Sequence, residues 1–175
     1  NPYFVNKIRK ILLYLETKIK QTFSNLEIFN IFKNNKLILH FLIHQKIIKI
    51  DSDISNKLIF ESESEFEYFY FLPELKTYLK EEKYKSIEDK LNEENPTFFD
   101  EFDQKRLVGE NESYVCSLIR HDSVEEFVRY VTQTNLSVSS QIANSIFETN
   151  PFLIKNKKSS LIEYAAFFGS IEIYQ

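Results

Sequence analysis

Ala and Gly are scarce in this chain, and most of them stand close together near its end. The 175 residues include only two Gly and three Ala, yet Ala165, Ala166 and Gly169 fall within five positions. Two adjacent Ala let another helix approach at backbone distance, and Gly readily ends a helix in the left-handed conformation. Ser170 is placed to cap a following helix whose first turn holds Glu172. The segment therefore predicts a tight hairpin of two helices packed against a neighbour.

Apolar residues at the start of the chain recur at the spacing of a helix face. They step mostly by three or four positions, and the stripe consists of Phe4, Ile8, Ile11, Leu12, Leu15 and Ile19. Basic residues fall mainly off this stripe, which predicts a basic amphipathic helix. Ser24 and Glu27 have the pattern of a capping box and predict the start of a second helix. Residues 36–50 predict a third helix, and Asp51 with Asp53 opens a fourth.

The segment ESESEFEYFYFLPEL, residues 61–75, is acidic and then densely aromatic. Its alternation of Glu with Ser or Phe is also typical of a strand, but Pro73 favours one helix ending before it and another starting there. Large aromatics mostly fill interiors, so we expect core packing here rather than a platform for a partner. Beyond Pro73 the pattern predicts short helices, and the whole chain is predicted to be all-α.

Three segments echo one another in sequence. KSIEDKL (residues 85–91), DSVEEFV (122–128) and GSIEIYQ (169–175) each place a Ser before a β-branched aliphatic residue and a Glu. Their serines are 37 and 47 residues apart. Intervals of this size are typical of helix-turn-helix repeats that carry insertions. The echo therefore predicts a chain built in part from repeated helical hairpins.

The last copy, SLIEYAAFFGSIEIY, resembles the ankyrin repeat, whose pattern is T-P-L-H-x-A-A-x-x-G-H-x-E. The positions that match are Ser160, Ile162, Ala165, Ala166, Gly169, Ser170 and Glu172. Two positions depart from the pattern, because Leu161 replaces Pro and Glu163 replaces His. The packing part of the pattern is kept, and the hydrogen-bonding part is altered.

The preceding copy, SYVCSLIRHDSVEEFVRYV, is a weaker match. Leu118 and Ile119 stand at the Ala pair and Asp122 at the Gly, where Asp tolerates the left-handed conformation better than most residues. Such a degenerate unit resembles the terminal cap of a solenoid. The longer phrase is similar to a large ankyrin-repeat family expanded in parasitic protists, in which a helical N-terminal region precedes the repeats. The resemblance implies an N-terminal helical domain over 1–108, then a capping repeat and the start of an ankyrin-type repeat over 109–175.

The resemblance implies a non-enzymatic scaffold or adaptor that binds other proteins. It implies no catalytic residue, no cofactor, no metal and no small-molecule substrate. Possible partner contacts lie in the loop KNKKSS, at Lys155, Lys157 and Lys158. The lack of Met and an end within a predicted helix further suggest a piece of a longer protein, with more repeats expected beyond Gln175.

Charge is distributed unevenly along the chain. Residues 1–50 carry nine Lys/Arg and two Asp/Glu, a net charge of +7, whereas residues 51–112 carry a net −10 and residues 113–175 a net −1. The basic segment is expected to face solvent or the acidic segment. The alternative function is an attachment module whose basic helices dock on an acidic surface, either cytoskeletal tails, membrane or nucleic acid. Membrane and nucleic acid are not expected to be the main partners.

An enzyme is the third hypothesis, and the sequence offers little chemistry for it. His40 and His44 have a spacing that can chelate a metal, but no third ligand follows at a convincing distance. Cys116 and His121 are five residues apart, which does not align a nucleophile with a base on one helix face. Two Gly cannot supply a phosphate-binding loop.

Compartment and topology are also constrained. A single Cys indicates a reducing compartment, so we expect a cytoplasmic protein. The most apolar stretch, residues 37–50, is broken by polar side chains and falls short of the roughly 20 apolar residues of a membrane span.

Overall fold

The computed structural model describes residues 2–62, 65–155 and 159–175, with side chains described in these ranges except at 2–4, 66, 67, 94 and 155. The described chain is helical and contains no strand, which confirms the predicted all-α class. It divides into two compact units, residues 1–107 and 108–175. The boundary expected from sequence, between Val108 and Gly109, lies one residue further along. Among the described helices, none is long and apolar enough to cross a membrane.

The helices of the first unit are mostly short. They are α1 (Pro2–Tyr14), α2 (Glu16–Thr22), α3 (Asn25–Phe32), α4 (Lys36–His44), α5 (Ser52–Phe60), α6 (Glu65–Phe69), α7 (Leu72–Leu75), α8 (Glu81–Glu94) and α9 (Phe102–Val108, whose last residue falls in the second unit). The predicted capping box is present, since the Ser24 hydroxyl accepts from the Glu27 amide and the Glu27 carboxylate accepts from the Ser24 amide. The Asp51 carboxylate caps α5 through the amides of Asp53 and Ile54. These local signals therefore fix both helix starts.

The third predicted helix is shorter than its apolar pattern. Helix α4 ends at His44, and Lys46 then takes a left-handed conformation with φ 57°. The amide of Ile47 donates to the Leu42 carbonyl at 2.9 Å, which closes the helix end. Ile47 and Ile48 remain buried. Their apolar character serves a buried turn, and periodicity alone does not distinguish this from a continued helix.

The aromatic segment packs inside the first unit. The buried members are Tyr68, Phe69, Tyr70 and Phe71. The Tyr70 hydroxyl donates to the Arg106 carbonyl at 2.9 Å, and the Arg106 guanidinium donates to the Tyr70 carbonyl at 3.2 Å. Arg106 is itself buried and pairs with Glu74 at 2.8 Å and Asp103 at 2.6 Å. The segment is therefore core, as predicted, and the hydroxyl and carbonyl of Tyr70 are paired with Arg106 of α9.

The second unit contains two helical hairpins. Its helices are α10 (Tyr114–Arg120), α11 (Val124–Gln133), α12 (Pro151–Lys155), α13 (Leu161–Phe168) and α14 (Ile171–Tyr174). Helix α10 packs against α11 and α13, and α14 packs against α13 and α11. The core between them is made of Val115, Cys116, Leu118, Ile119, Phe127, Leu153, Leu161, Tyr164 and Ala165. Cys116 is therefore a core residue of this unit.

The connection between the two hairpins includes α12 and is tied down at several points. The Thr149 hydroxyl donates to the Gly109 carbonyl at 2.7 Å, and the side-chain amide of Asn111 donates to the Ala143 carbonyl at 2.8 Å. The Ile142 amide donates to the Ser159 carbonyl at 2.9 Å. These bonds anchor an insertion that makes the hairpin spacing longer than a compact repeat requires.

The three sequence echoes do not have the same structural setting. Ser123 and Ser170 both directly precede a second helix, α11 or α14. Ser86 instead lies in the interior of α8. The prediction of a repeated hairpin therefore holds for the two later copies at their 47-residue spacing, and it is wrong for the first copy.

Candidate protein-interaction site

The two hairpins of the second unit correspond position by position at an offset of 47 residues. Ser113 precedes α10 as Ser160 precedes α13, and Asp122, just after the C-cap His121 of α10, stands at the position of Gly169, the C-cap of α13. Both turn residues are left-handed, with φ 51° at Asp122 and 70° at Gly169. The expected left-handed helix end at Gly169 is confirmed. The positions of the second hairpin that match the ankyrin pattern therefore have structural counterparts 47 residues earlier, in the first hairpin.

The N-terminus of α13 is closed by a capping box that the ankyrin pattern does not contain. The Ser160 hydroxyl accepts from the Glu163 amide at 3.3 Å, and the Glu163 carboxylate accepts from the Ser160 amide at 2.7 Å. These bonds hold the pKa of Glu163 below its usual value. Glu163 thus gives the turn a hydrogen-bonded start where the pattern has His. Ile162, the next matched position, is half-buried, and its amide donates to the Val138 carbonyl at 3.1 Å.

The two adjacent alanines face different environments. Ala165 is fully buried in the core between α13 and α10, as expected for a close helix contact. Ala166 is exposed, because successive helix residues are about 100° apart. Only one of the two alanines therefore serves the packing between these hairpins.

A hydrogen-bonded lock joins the two hairpins at their turns. The Asp122 carboxylate accepts from the amides of Glu172 at 3.2 Å and Ile173 at 3.1 Å, at the N-terminus of α14. The buried Ser170 hydroxyl donates to the Ile119 carbonyl. The sequence predicted that Ser170 would cap α14, and this is wrong: its side chain makes no cap bond. The cap comes from Asp122, about 50 residues earlier, and no local pattern could have shown it.

A second polar tie lies under α13. The Arg120 guanidinium donates to the Tyr164 hydroxyl at 2.8 Å and to the Asn111 carbonyl at 2.9 Å, and it pairs with Glu110 at 2.9 Å. Burial raises the pKa of Tyr164 above its ordinary value, so the hydroxyl stays protonated. This tie holds the second hairpin and the chain before the first one together.

The second hairpin and α12 carry apolar side chains that are exposed in the described chain. Phe152 of α12 stacks on Phe167 of α13, with ring centroids 5.3 Å apart and an interplanar angle of 6°. We use the term outer face for this surface, which consists of Phe152, Ala166, Phe167, Phe168, Ile171 and Tyr174. Contiguous exposed apolar residues of this kind mark interaction sites.

Of the residues considered for chemistry, His40 and Cys116 are buried and His121 is exposed. His40 is buried, and burial together with the positive charges of Arg106 and His44 lowers its pKa to about 4. Its ring packs edge-on to Tyr70 at 5.9 Å between centroids. Cys116 is fully buried, which raises the pKa of its thiol, whereas His121 is exposed. In the described part of the chain, no group of three or more His, Cys, Asp or Glu is placed to hold a metal ion.

The predicted lysine contacts cannot be located in this surface. Lys157, Lys158 and the side chain of Lys155 lie outside the described residues. No family model matches the chain, and searches of curated proteins and of solved structures gave no match either. Membership of the ankyrin-repeat family therefore stays a prediction.

Proposed function

We propose that this protein is a non-enzymatic scaffold that binds other proteins through a stack of ankyrin-type helical hairpins. The observation that carries the proposal is the lock between the two hairpins, formed by Asp122, Ser170 and the N-terminus of α14. The lock holds two successive hairpins against each other at corresponding positions. Helical repeats form a continuous core through such contacts between neighbouring units.

The occupant of the outer face follows from the correspondence between the hairpins. Ile119 of α10 corresponds to Ala166 of α13, and Ile119 is fully buried under the second hairpin. The carbonyl of Ile119 accepts the Ser170 hydroxyl, and the carbonyl of Ala166 lies at the corresponding place on the outer face. The proposed occupant is therefore another helical hairpin, with a serine before its second helix, that packs on the outer face as the second hairpin packs on the first.

The proposal is tested with the 175-residue chain as bait, comparing captured proteins across variants. Ala166→Glu combined with Ile171→Glu places two charges on the outer face, and both positions are exposed, so the fold is expected to survive. Val128→Glu, at an exposed position of α11, is the matched control. We expect a partner that is captured by the wild type and the control and lost with the outer-face variant. An identical set of captured proteins for all three chains would contradict the proposal.

The loop lysines are tested separately in the same assay. Lys157→Glu combined with Lys158→Glu reverses two charges of the loop that the sequence marks as a possible contact. If the loop contacts the partner, this variant lowers capture while circular dichroism stays unchanged. Unchanged capture would remove the loop from the proposed contact and leave the outer face in place.

A further inference from the structure

The first helix presents apolar side chains to solvent. Positions 8–15 cover the second half of α1 and its junction with α2. The large apolar residues exposed there are Ile8, Ile11, Leu13, Tyr14 and Leu15. Ile11 is 54% and Tyr14 is 89% exposed. The apolar stripe predicted from sequence is therefore only partly used for packing, with Leu12 buried. Single exposed apolar residues are ordinary, but a contiguous group of this size is not.

The fold of the first unit holds this helix with one side inward. Helix α1 packs against α4, and the Arg9 guanidinium lies 5.5 Å from the centroid of the Phe41 ring. Backbone bonds of 2.9 Å from Leu15 to Ile11 and from Ile19 to Leu15 carry the helix across the junction into α2. Ile8 and Ile11 therefore share one exposed stripe of α1, and exposed Leu15 lies at its junction with α2, where the backbone departs from helical geometry (φ −91°, ψ 1°).

The same segment is basic. The first acidic residue of the chain is Glu16, which forms an ion pair with Lys20 at 2.6 Å. Exposed Lys10 and Lys18 lie beside the apolar stripe, and residues 1–50 carry a net charge of +7. We call this surface the basic apolar ridge; it consists of Ile8, Lys10, Ile11, Tyr14, Leu15 and Lys18.

We propose that the basic apolar ridge binds the surface of an anionic lipid bilayer. A segment with an apolar stripe and adjoining lysines lies in the plane of the interface, with its apolar side chains among the acyl chains and its ammonium groups at the headgroups. Nucleic acid and acidic protein tails match the lysines but leave Ile11 and Leu15 in water, since these side chains have no flat ring for stacking on a base. Of these three surfaces, the lipid bilayer is the one that accommodates both the lysines and the apolar side chains of the ridge.

Binding to this surface is independent of the scaffold proposed for the second unit. The ridge belongs entirely to the first unit, residues 1–107, whereas the hairpins belong to residues 108–175. A bilayer contact through α1 would attach the scaffold to a membrane. Failure of one proposal therefore does not carry over to the other.

The test is co-sedimentation of the whole chain with vesicles of phosphatidylcholine alone or mixed with phosphatidylserine, at low and at physiological salt. The wild type is expected to bind the mixed vesicles and to bind phosphatidylcholine at least about tenfold more weakly. Lys10→Glu combined with Lys18→Glu is expected to lower binding to the mixed vesicles about tenfold or more. Ile11→Gln combined with Leu15→Gln keeps good helix formers and is expected to lower it by a similar factor.

Matched controls distinguish binding through the ridge from nonspecific adsorption of the protein to vesicles. Phe60→Gln removes another exposed apolar side chain of the same unit, and Lys85→Glu reverses another exposed lysine; both should bind as the wild type does. The proposal is overturned if the wild type does not bind the mixed vesicles at low salt, or if the controls lose binding as strongly as the ridge variants. It is also overturned if the lysine variant loses binding while the glutamine variant keeps it, because the surface would then suit an acidic protein or nucleic acid.

Discussion

At position 122 the first hairpin of the second unit turns through an aspartate, whereas at position 169 the second turns through a glycine, and both backbones are left-handed. Gly adopts this conformation without the steric cost that a Cβ brings. The left-handed conformation of Asp122 carries this steric strain, and the Asp122 carboxylate caps α14 of the next hairpin. The comparison teaches that a turn residue in a stacked hairpin can serve its neighbour more than its own helix.

The two hairpins also differ in the burial of the helix residues that precede these turns. Leu118 and Ile119 of the first hairpin are both buried, whereas their counterparts are the buried Ala165 and the exposed Ala166. Ile119 is buried because the second hairpin lies over it. Burial at this position is therefore a property of the stack and not of the helix that carries the residue.

The largest effect is expected from shortening the covered residue. Ile119→Ala removes a fully buried side chain and should lower the free energy of unfolding of the second unit by about 3 kcal/mol, through lost burial and the cavity left behind. Val128→Ala, at an exposed site, should change it by less than about 0.5 kcal/mol. Urea titration with hydrogen exchange of the hairpin amides measures both. Equal losses would show that the second hairpin does not cover the first.

Replacing each of the two alanines by leucine distinguishes the buried site from the exposed one. Ala165→Leu overfills the contact between α13 and α10 and should lower the free energy of unfolding by about 2 kcal/mol. Ala166→Leu adds the same atoms at an exposed site and should have little effect, within about 0.5 kcal/mol. The same titration compares them. A larger loss at Ala166 than at Ala165 would refute the assignment of the inner and outer faces.

Removing the carboxylate at the first turn tests the lock. Asp122→Ala leaves the amides of Glu172 and Ile173 without their cap and keeps a Cβ in the left-handed region, so we expect a loss of about 1.5 kcal/mol. Asp122→Asn retains a side-chain oxygen and tolerates the conformation, so its loss should be smaller. Hydrogen exchange at the α14 amides should accelerate with Ala and much less with Asn. If the two variants behave alike, the carboxylate is not the cap.

The smallest effect is expected at the second turn. Gly169 has a φ of +70°, and no atom lies within 4 Å of an added Cβ. Gly169→Ala should therefore cost only backbone strain, about 1 kcal/mol, and Gly169→Asn less. Thermal unfolding of the two variants measures the difference. A loss well above that of Asp122→Ala would mean that the turn is crowded, which would argue against an open outer face.

Some features of the fold were fully encoded in short stretches of sequence. The capping box at Ser24 and Glu27, the Asp51 cap and the left-handed Gly169 all depend on residues within three or four positions of one another. Local hydrogen bonds and backbone sterics determine such features, so they were predictable. The all-α class followed for the same reason.

Other expectations were wrong at residues whose contacts are made with partners far away in the sequence. Ser170 was expected to cap α14, but its hydroxyl bonds to the Ile119 carbonyl across the hairpins. The apolar pattern of residues 36–50 predicted one long helix, yet the chain turns at Lys46 and buries Ile47 and Ile48 beyond the turn. Periodicity records that a residue is apolar, and it does not record which surface covers it.

The sequence by itself determined the capping box at Ser24, the cap at Asp51, the glycine turn at 169, and that a close helix contact falls within the alanine pair. The tertiary structure decided which of those alanines is buried, that Asp122 caps α14, and that Ile11 and Tyr14 remain in solvent. The physical reason is that caps and left-handed turns are set by neighbours in the chain. Burial and long-range hydrogen bonds depend on elements that come together only in the folded unit.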